Sequence, residues 1–150
     1  MTLIALDPAA TREYTLRADK DDPTVFILGT VDPYLRAAID DGTTSFSISR
    51  GGEADEPADM VISVRRKNLE LVKFGVKGWR NFKSRASGEL DDVDFESQSY
   101  PVPKLGPRSG MSERCLKMLA SAWIDELAIE ISRDNRLSEE ERRDLPLRLR

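Results

Sequence analysis

The chain has 150 residues, of which 39% are apolar and 33% are charged, and its formal net charge is −4. A chain of this length can bury one sizeable core, and it contains no apolar run near the roughly 18 residues of a membrane-spanning helix. Histidine is absent and Cys115 is the only cysteine, which excludes histidine-based catalysis, an internal disulfide and a thiolate zinc site.

The first forty residues predict a β-hairpin followed by a helix. Residues 11–18 are a predicted strand because apolar side chains alternate with polar ones, and residues 24–30 are another because they contain a short apolar run. The acidic segment 19–23, which ends in proline, is the predicted turn between them. Asp32 directly before a proline is typical of a helix N-cap and predicts a helix over 34–40.

The next predicted elements are a strand and a longer helix. Residues 43–49 alternate apolar and polar side chains, which predicts an exposed or edge strand. A second helix is predicted to begin at 55–57 and to end near Gly75, because its apolar side chains fall near one face. The β-branched run at 61–64 leaves a strand as the alternative for that part.

Residues 74–95 combine glycines and aromatic side chains around a polar turn, with no group suited to catalysis. Glycine near a helix end accepts the left-handed backbone conformation, so a helix is predicted to end near 75–78. Trp79 and Phe82 are then expected to enter the core, and a short strand is expected to carry Phe95 back towards it.

The last third predicts a connector and two helices. Residues 100–110 are rich in proline and glycine, which predicts an extended, semi-rigid stretch of the kind that often lies across a neighbour. Apolar side chains at helical spacing predict the clearest helix over 112–135. Ser138 and Glu141 form a predicted capping box for a short final helix that Pro146 ends.

These elements together predict an α+β fold, with an N-terminal antiparallel β-hairpin or sheet packed on middle and C-terminal helices. A β-rich part, 1–110, holds one or two helices and the proline- and glycine-rich connector at its end. A helical segment, 111–150, is expected to pack on the same core, so that the whole chain is a single domain. Large apolar side chains dominate core energetics, so the residues expected to be mostly buried are Trp79, Phe82, Leu119, Trp123 and Leu127.

Charge is distributed in blocks along the chain. Residues 1–59 hold twelve acids and five bases (net −7), residues 60–85 hold eight bases and one acid (net +7), and residues 86–103 hold five acids and no base (net −5). The remaining residues, 104–150, have a net charge of +1. Alternating blocks are typical of a chain that packs against itself or against neighbouring copies by charge complementarity. The alternative is that they are solvated faces of separate elements.

The basic block is also the only candidate for a nucleic-acid site. Lysines and arginines between Arg65 and Arg85 lie beside Trp79 and Phe82, and basic and aromatic residues together are typical of single-strand binding. The pI near 5.0 and the flanking acidic blocks oppose phosphate contacts, however. We therefore expect no specific nucleic-acid binding and place both aromatic side chains in the core.

No other motif predicts a metal, a cofactor or catalysis. The acidic cluster lacks the glycine and the terminal glutamate spacing of a calcium loop, so we expect a solvated loop at Glu89, Asp91, Asp92, Asp94 and Glu96. Gly51 and Gly52 are not followed by the lysine of a phosphate-binding loop. Cys115 is expected to be a small buried residue on a helix, with an intermolecular disulfide as the alternative.

Four segments of the chain carry a recurring pattern. The opening segment is Leu-Asp-Pro-x-x-Thr-x-Glu-Tyr-x-Leu at 6–16, and the strand Thr-Val-Phe-Ile-Leu lies at 24–28. Gly-Trp-Arg-Asn-Phe lies at 78–82. The closing helices carry Glu-Leu-Ala at 126–128 with Ile131, followed by Leu137, Ser138, Glu139, Glu140 and Glu141. Together these segments resemble a family of small proteins encoded in the structural gene clusters of tailed bacteriophages. One departure is Ala86–Glu89, where the family pattern has an Asp-Gly-Asn turn.

The resemblance implies a role in building a phage particle. It implies a virion structural protein, a capsid decoration (cement) or neck component that stabilises the particle through protein–protein contacts. The alternative is a tail assembly chaperone that is absent from the mature virion, because the order of strands and then helices is similar to such chaperones. Both imply assembly in the host cytoplasm and no enzymatic activity. The partners implied are the major capsid protein or neck and tail proteins, and copies of the chain itself, without membrane, nucleic acid or small-molecule substrate.

For such a role the expected contact residues are basic, proline-rich or terminal. The basic face of residues 65–85 would meet an acidic surface on a neighbouring copy or on the major capsid protein, and prolines restrict an arm before it binds, so that less entropy is lost on binding. The predicted interface residues are Arg65, Arg66, Lys67, Pro101, Pro103, Pro107, Leu147, Arg148, Leu149 and Arg150.

Overall fold

The computed structural model of the chain describes residue 7 and residues 9–49 and 57–133, apart from the side chains of 43–49 and 57–63. The fold is α+β, as the sequence predicts, with an antiparallel sheet near the N-terminus combined with helices and smaller hairpins. The sheet contains β1 (Thr11–Tyr14), β2 (Val25–Gly29) and β3 (Val76–Arg80), in the order β1-β2-β3. Among the described helices, none has the length and apolar character needed to cross a bilayer.

The predicted N-terminal hairpin is confirmed, although both strands are shorter than predicted. In the central strand, Phe26 pairs with Tyr14 on one side and with Trp79 on the other. The turn is closed by the Asp19 carboxylate, whose Oδ2 accepts a hydrogen bond from the backbone N–H of Thr24 at 2.9 Å. An aspartate at the start of a turn commonly makes this contact, which is the physical reason that the acidic segment folds back.

Helix α1 spans Pro33–Ser49. Asp32 caps it as predicted, because its Oδ1 accepts the backbone N–H of Leu35 at 2.9 Å. The prediction that the helix ends at residue 40 and that 43–49 form a strand is wrong, because the helix continues through both. Seven residues of alternating polarity are a weak signal, and helix α1 gains its stability by packing along the next helix rather than from local preference.

Helix α2 spans Pro57–Gly75, close to the predicted bounds, and the strand alternative at 61–64 is wrong. The helix passes directly into β3 at Gly75. A Cβ atom at Gly75 would lie 2.6 Å from Cδ1 of Ile131, so close packing against the C-terminal helix, rather than a left-handed backbone, favours glycine here. The chain therefore changes from helix to strand at a point where two elements touch.

Two hairpins follow the sheet. The first joins β4 (Lys83–Ser84) to β5 (Asp91–Asp92), and the second joins β6 (Ser97–Val102) to β7 (Gly106–Met111). The prediction of a connector over 100–110 is therefore wrong, although the residues are extended as predicted, because they form most of an antiparallel pair. Proline is tolerated there because each strand has an outer edge that needs no donor.

The predicted helix over 112–135 is interrupted. Ser112 caps a short helix α3 (Glu113–Leu116) by accepting the backbone N–H of Cys115 at 3.2 Å, and residues 121–133 form a separate helix, α4. No glycine or proline marks the break at 117–120, so it is determined by tertiary packing rather than by local sequence. The predicted final helix and its capping box lie outside the described residues.

The core is a single cluster built from the sheet, α1, α2, β7, α3 and α4. Its centre is aromatic: the rings of Phe26 and Trp79 are 6.2 Å apart, and those of Trp79 and Phe82 are 4.8 Å apart. The burial predictions hold for Trp79, Phe82, Leu119 and Leu127. They are wrong for Trp123, which is 38% exposed because one edge packs on Phe82 and the rest faces outwards.

Candidate protein-binding groove

A concave surface of the described chain lies between helix α1, helix α2 and the turn of the β6–β7 hairpin. We call it the groove, and its cavity volume is about 600 Å³. Its floor is formed by buried side chains of the two helices, and its open side by aromatic, proline and charged side chains. The lining includes Tyr34, Leu35, Asp41, Arg66, Glu70, Lys73, Phe74, Tyr100, Pro101, Pro103 and Lys104.

The apolar part of the groove consists of aromatic side chains from three elements. Phe74 is buried beneath Tyr100, with ring centroids 5.8 Å apart in an edge-to-face arrangement. Tyr100 is fixed by its hydroxyl, which donates to the backbone oxygen of Met111 at 2.5 Å, and burial raises the pKa of this tyrosine. Tyr34 is 74% exposed on α1. A large exposed aromatic ring beside a concave apolar surface is typical of a protein-binding site.

Charged side chains surround this apolar part. Lys73 lies with its Nζ atom 4.5 Å from the centroid of Tyr100, and it makes an ion pair of 2.9 Å with Glu70. Arg66 and Lys104 add positive charge, and Asp41 adds negative charge. The lining therefore holds three bases and two acids, and Lys104 has no ion-pair partner among the described residues. This charge balance favours an acidic partner.

The conformation of the β6–β7 turn is determined by a backbone hydrogen bond and by two residues with positive φ. Leu105 donates its N–H to the oxygen of Val102 at 3.1 Å, across a turn with Pro103 at its first central position. Lys104 has φ +68° and Gly106 has φ +78°, so the chain reverses within three residues. The other end of the hairpin rests on α2 at Gly110, where a Cβ atom would be only 2.9 Å from the backbone oxygen of Lys73.

The predicted interface residues lie in the groove, elsewhere on the described part of the chain, or outside the described residues. Arg66, Pro101 and Pro103, which are far apart in sequence, lie together in the groove. Arg65 is exposed on α2, whereas Lys67 faces α1, where its Nζ atom lies 2.9 Å from the Asp40 carboxylate. Pro107 is exposed opposite Pro101 in the hairpin. Leu147, Arg148, Leu149 and Arg150 lie outside the described residues.

The bases of residues 65–85, which the sequence predicts as one basic face, lie on α2, on β3 and in the β4–β5 hairpin. Several of them pair with acids of other blocks: Arg80 with Glu13 at 2.7 Å, and Lys83 with Asp92. Trp79 and Phe82 are buried, so neither is available to stack on a nucleic-acid base. The arrangement that the single-strand alternative requires is therefore not formed by these side chains.

The acidic cluster forms a solvated hairpin, as predicted. Asp92 pairs with Lys83, Asp91 accepts the hydroxyl hydrogen of Ser87, and Glu96 pairs with Arg114 at 3.1 Å. Within the described ranges, no three histidine, cysteine, aspartate or glutamate side chains are arranged to hold a metal ion. Cys115 is fully buried on α3, as expected. Gly51 and Gly52 lie outside the described residues.

The residues that carry the family resemblance lie together in the fold. Those at 11–16, 24–28 and 78–82 form or adjoin the three strands of the sheet. Those at 126–131 lie on α4, where the Glu126 carboxylate accepts the Tyr14 hydroxyl at 2.6 Å. These segments thus contribute to the sheet and to the helix that packs on it. Tyr34 and Tyr100 of the groove were not among the predicted site residues, and only a proline beside each tyrosine marks them in the sequence.

Searches with this chain found no matching family model, no similar curated protein and no similar solved structure.

Proposed function

We propose that this chain is a structural protein of a tailed-bacteriophage particle, a capsid decoration or neck component that acts through protein–protein contacts. The observation that carries the proposal is the position of the resembling segments in the fold. They contribute residues to all three strands of the sheet and to the helix α4 that packs on it. Because the resemblance falls on residues of the sheet and of the helix that packs on it, it supports a role like that of the family.

The groove supports a binding role over a catalytic one. Its polar groups are an ion pair between Lys73 and Glu70, two further bases and one further acid, around tyrosine and proline side chains. Aromatic and arginine side chains at a concave surface are typical of residues that dominate binding energy at protein interfaces. The groove also gathers Arg66, Pro101 and Pro103, which the sequence nominates as contact residues for an independent reason.

The test is the composition of purified particles of the source phage. Mass spectrometry should find the chain in many copies in wild-type particles, and Arg66→Glu should reduce its occupancy, because the reversed charge opposes an acidic partner surface. Lys20→Glu is the matched control, since Lys20 is an exposed base in the first turn and does not line the groove. Particles that lack the chain altogether would refute this proposal and would favour the tail assembly chaperone instead.

A further inference from the structure

We propose that copies of this chain assemble head to tail, with the β4–β5 turn of one copy inserted into the groove of the next. We call residues 85–91 the tip. Leu90 in the tip is 55% exposed and is flanked by Glu89 and Asp91. An apolar side chain between acids on one surface therefore matches an apolar groove with a surplus of bases on another.

The tip is rigid enough to present Leu90 without much loss of entropy. The backbone N–H of Gly88 donates to the oxygen of Arg85 at 2.9 Å, and Gly88 has φ +87°, a conformation that glycine adopts without strain. Ser87 adds a hydrogen bond to the Asp91 carboxylate. A turn that is already ordered before it binds loses less conformational freedom on association.

The charges on the two surfaces are complementary. Of the acids in and beside the tip, Glu89 and Asp94 have no ion-pair partner within the described part of the chain, so their charge is available to another molecule. In the groove, Lys104 likewise has no ion-pair partner within the described part of the chain, and it lies at the exposed end of the hairpin turn. Opposite charges at the edge of an interface favour association and determine its register.

The dimensions agree with this occupant. A cavity of about 600 Å³ falls within the range of about 300–1,000 Å³ that holds a drug-sized ligand, and a tight turn with one leucine is of that size. The groove contains no residue of the tip, so a chain does not fill its own groove in this structure. Tip and groove are different surfaces, so the contact is heterologous and generates a ring or an open filament.

This contact concerns the purified chain alone, so its test does not depend on whether particles contain the protein. Sedimentation velocity at increasing concentration should show association of the wild-type chain that weakens with added salt. Leu90→Ser removes the apolar side chain of the tip, and Lys104→Glu reverses the free charge of the groove. Each should weaken association about tenfold or more. The matched controls are Ile129→Ser, at a side chain 57% exposed on α4, and Lys20→Glu, and both should associate like the wild type.

The decisive measurement is an equimolar mixture of the two variants. Leu90→Ser keeps an intact groove and Lys104→Glu keeps an intact tip, so a single competent contact remains between them. The mixture should form a one-to-one complex of twice the 16.9 kDa chain mass and nothing larger. An interface in which both copies use the same surface would not give this result.

A second pair of changes tests the charge contact without removing apolar surface. Lys104→Glu combined with Glu89→Lys in the same chain should restore association, since the opposite charges are exchanged. Circular dichroism should show that every variant is folded. A monomeric wild-type chain at all concentrations, or variants that associate like the wild type, would overturn the proposal. So would loss of association with Lys104→Glu but not with Leu90→Ser, because the groove would then bind a different acidic segment.

Discussion

Replacing Gly110 by alanine tests how the β6–β7 hairpin is attached to helix α2, which is the contact that forms one wall of the groove. The added Cβ atom would lie 2.9 Å from the backbone oxygen of Lys73 and 3.2 Å from Cδ1 of Phe74. The oxygen belongs to the helix backbone and cannot rotate away, so the hairpin must move outwards. Overpacking of this kind typically lowers the free energy of unfolding by about 1–3 kcal/mol.

The same substitution at Gly42 is the matched control. Nothing lies within 4 Å of a Cβ atom there, and Gly42 lies inside helix α1 with no positive φ. Alanine is the better helix former, so Gly42→Ala should raise the free energy of unfolding by up to about 1 kcal/mol. One chemical change should therefore have opposite effects at two positions.

Thermal and urea unfolding followed by circular dichroism would measure both. A loss of about 2 kcal/mol lowers Tm by about 4–8 °C in a chain of this size. Unchanged stability of Gly110→Ala would refute the packing of the hairpin on α2. Lower stability of Gly42→Ala would refute the continuation of helix α1 beyond residue 40.

Three further predictions concern the packing of α4 and the aromatic core. Burial, with a hydrogen bond to Glu126, raises the pKa of Tyr14 to about 12. The contribution of this raised pKa to stability is therefore complete below pH 10 and is lost as the pH rises through about 12. Ultraviolet titration of the tyrosines should show a component that ionises late, and Tyr14→Phe should remove it. Glu130 is buried beneath three arginine side chains, and Glu130→Ala should lower the free energy of unfolding by about 1–3 kcal/mol in urea, with Glu130→Gln intermediate. Trp79→Phe should cost about 1–3 kcal/mol in the same assay, because the Nε1 hydrogen bond to the Val93 oxygen, 2.8 Å, is lost; no change would show that the backbone group finds water instead.

The elements that the sequence predicts well are those whose signals are local. The hairpin of β1 and β2 follows from its apolar pattern and an acidic turn, and Asp32 marks the start of α1 by a contact with Leu35 three residues on. The end of α2 at Gly75 is also correct. Its cause is different from the predicted one, because close packing on Ile131 rather than a left-handed backbone favours the glycine.

The elements that the sequence predicts wrongly depend on contacts between distant residues. Residues 43–49 alternate apolar and polar side chains, which predicts a strand, but they belong to helix α1 because α1 packs along α2. Residues 100–110, predicted as a connector, lie in a hairpin because strand β6 pairs with strand β7. The composition of these residues does not by itself predict that pairing. The groove has the same origin: Tyr34, Phe74 and Tyr100 come from three separate elements, so only the fold shows that they meet.

The charge blocks show how one sequence pattern serves two purposes. The pairs of Lys67 with Asp40, and of Lys83 with Asp92, join a base of the second block to an acid of the first or third. The blocks are therefore partly complementary within the chain, and the charges that remain unpaired include those at the tip and at Lys104. Exposed ion pairs contribute about 0–1 kcal/mol each to folding, whereas charges at an interface control association and its rate. Added salt should consequently weaken the proposed contact between tip and groove at concentrations that leave the fold unchanged.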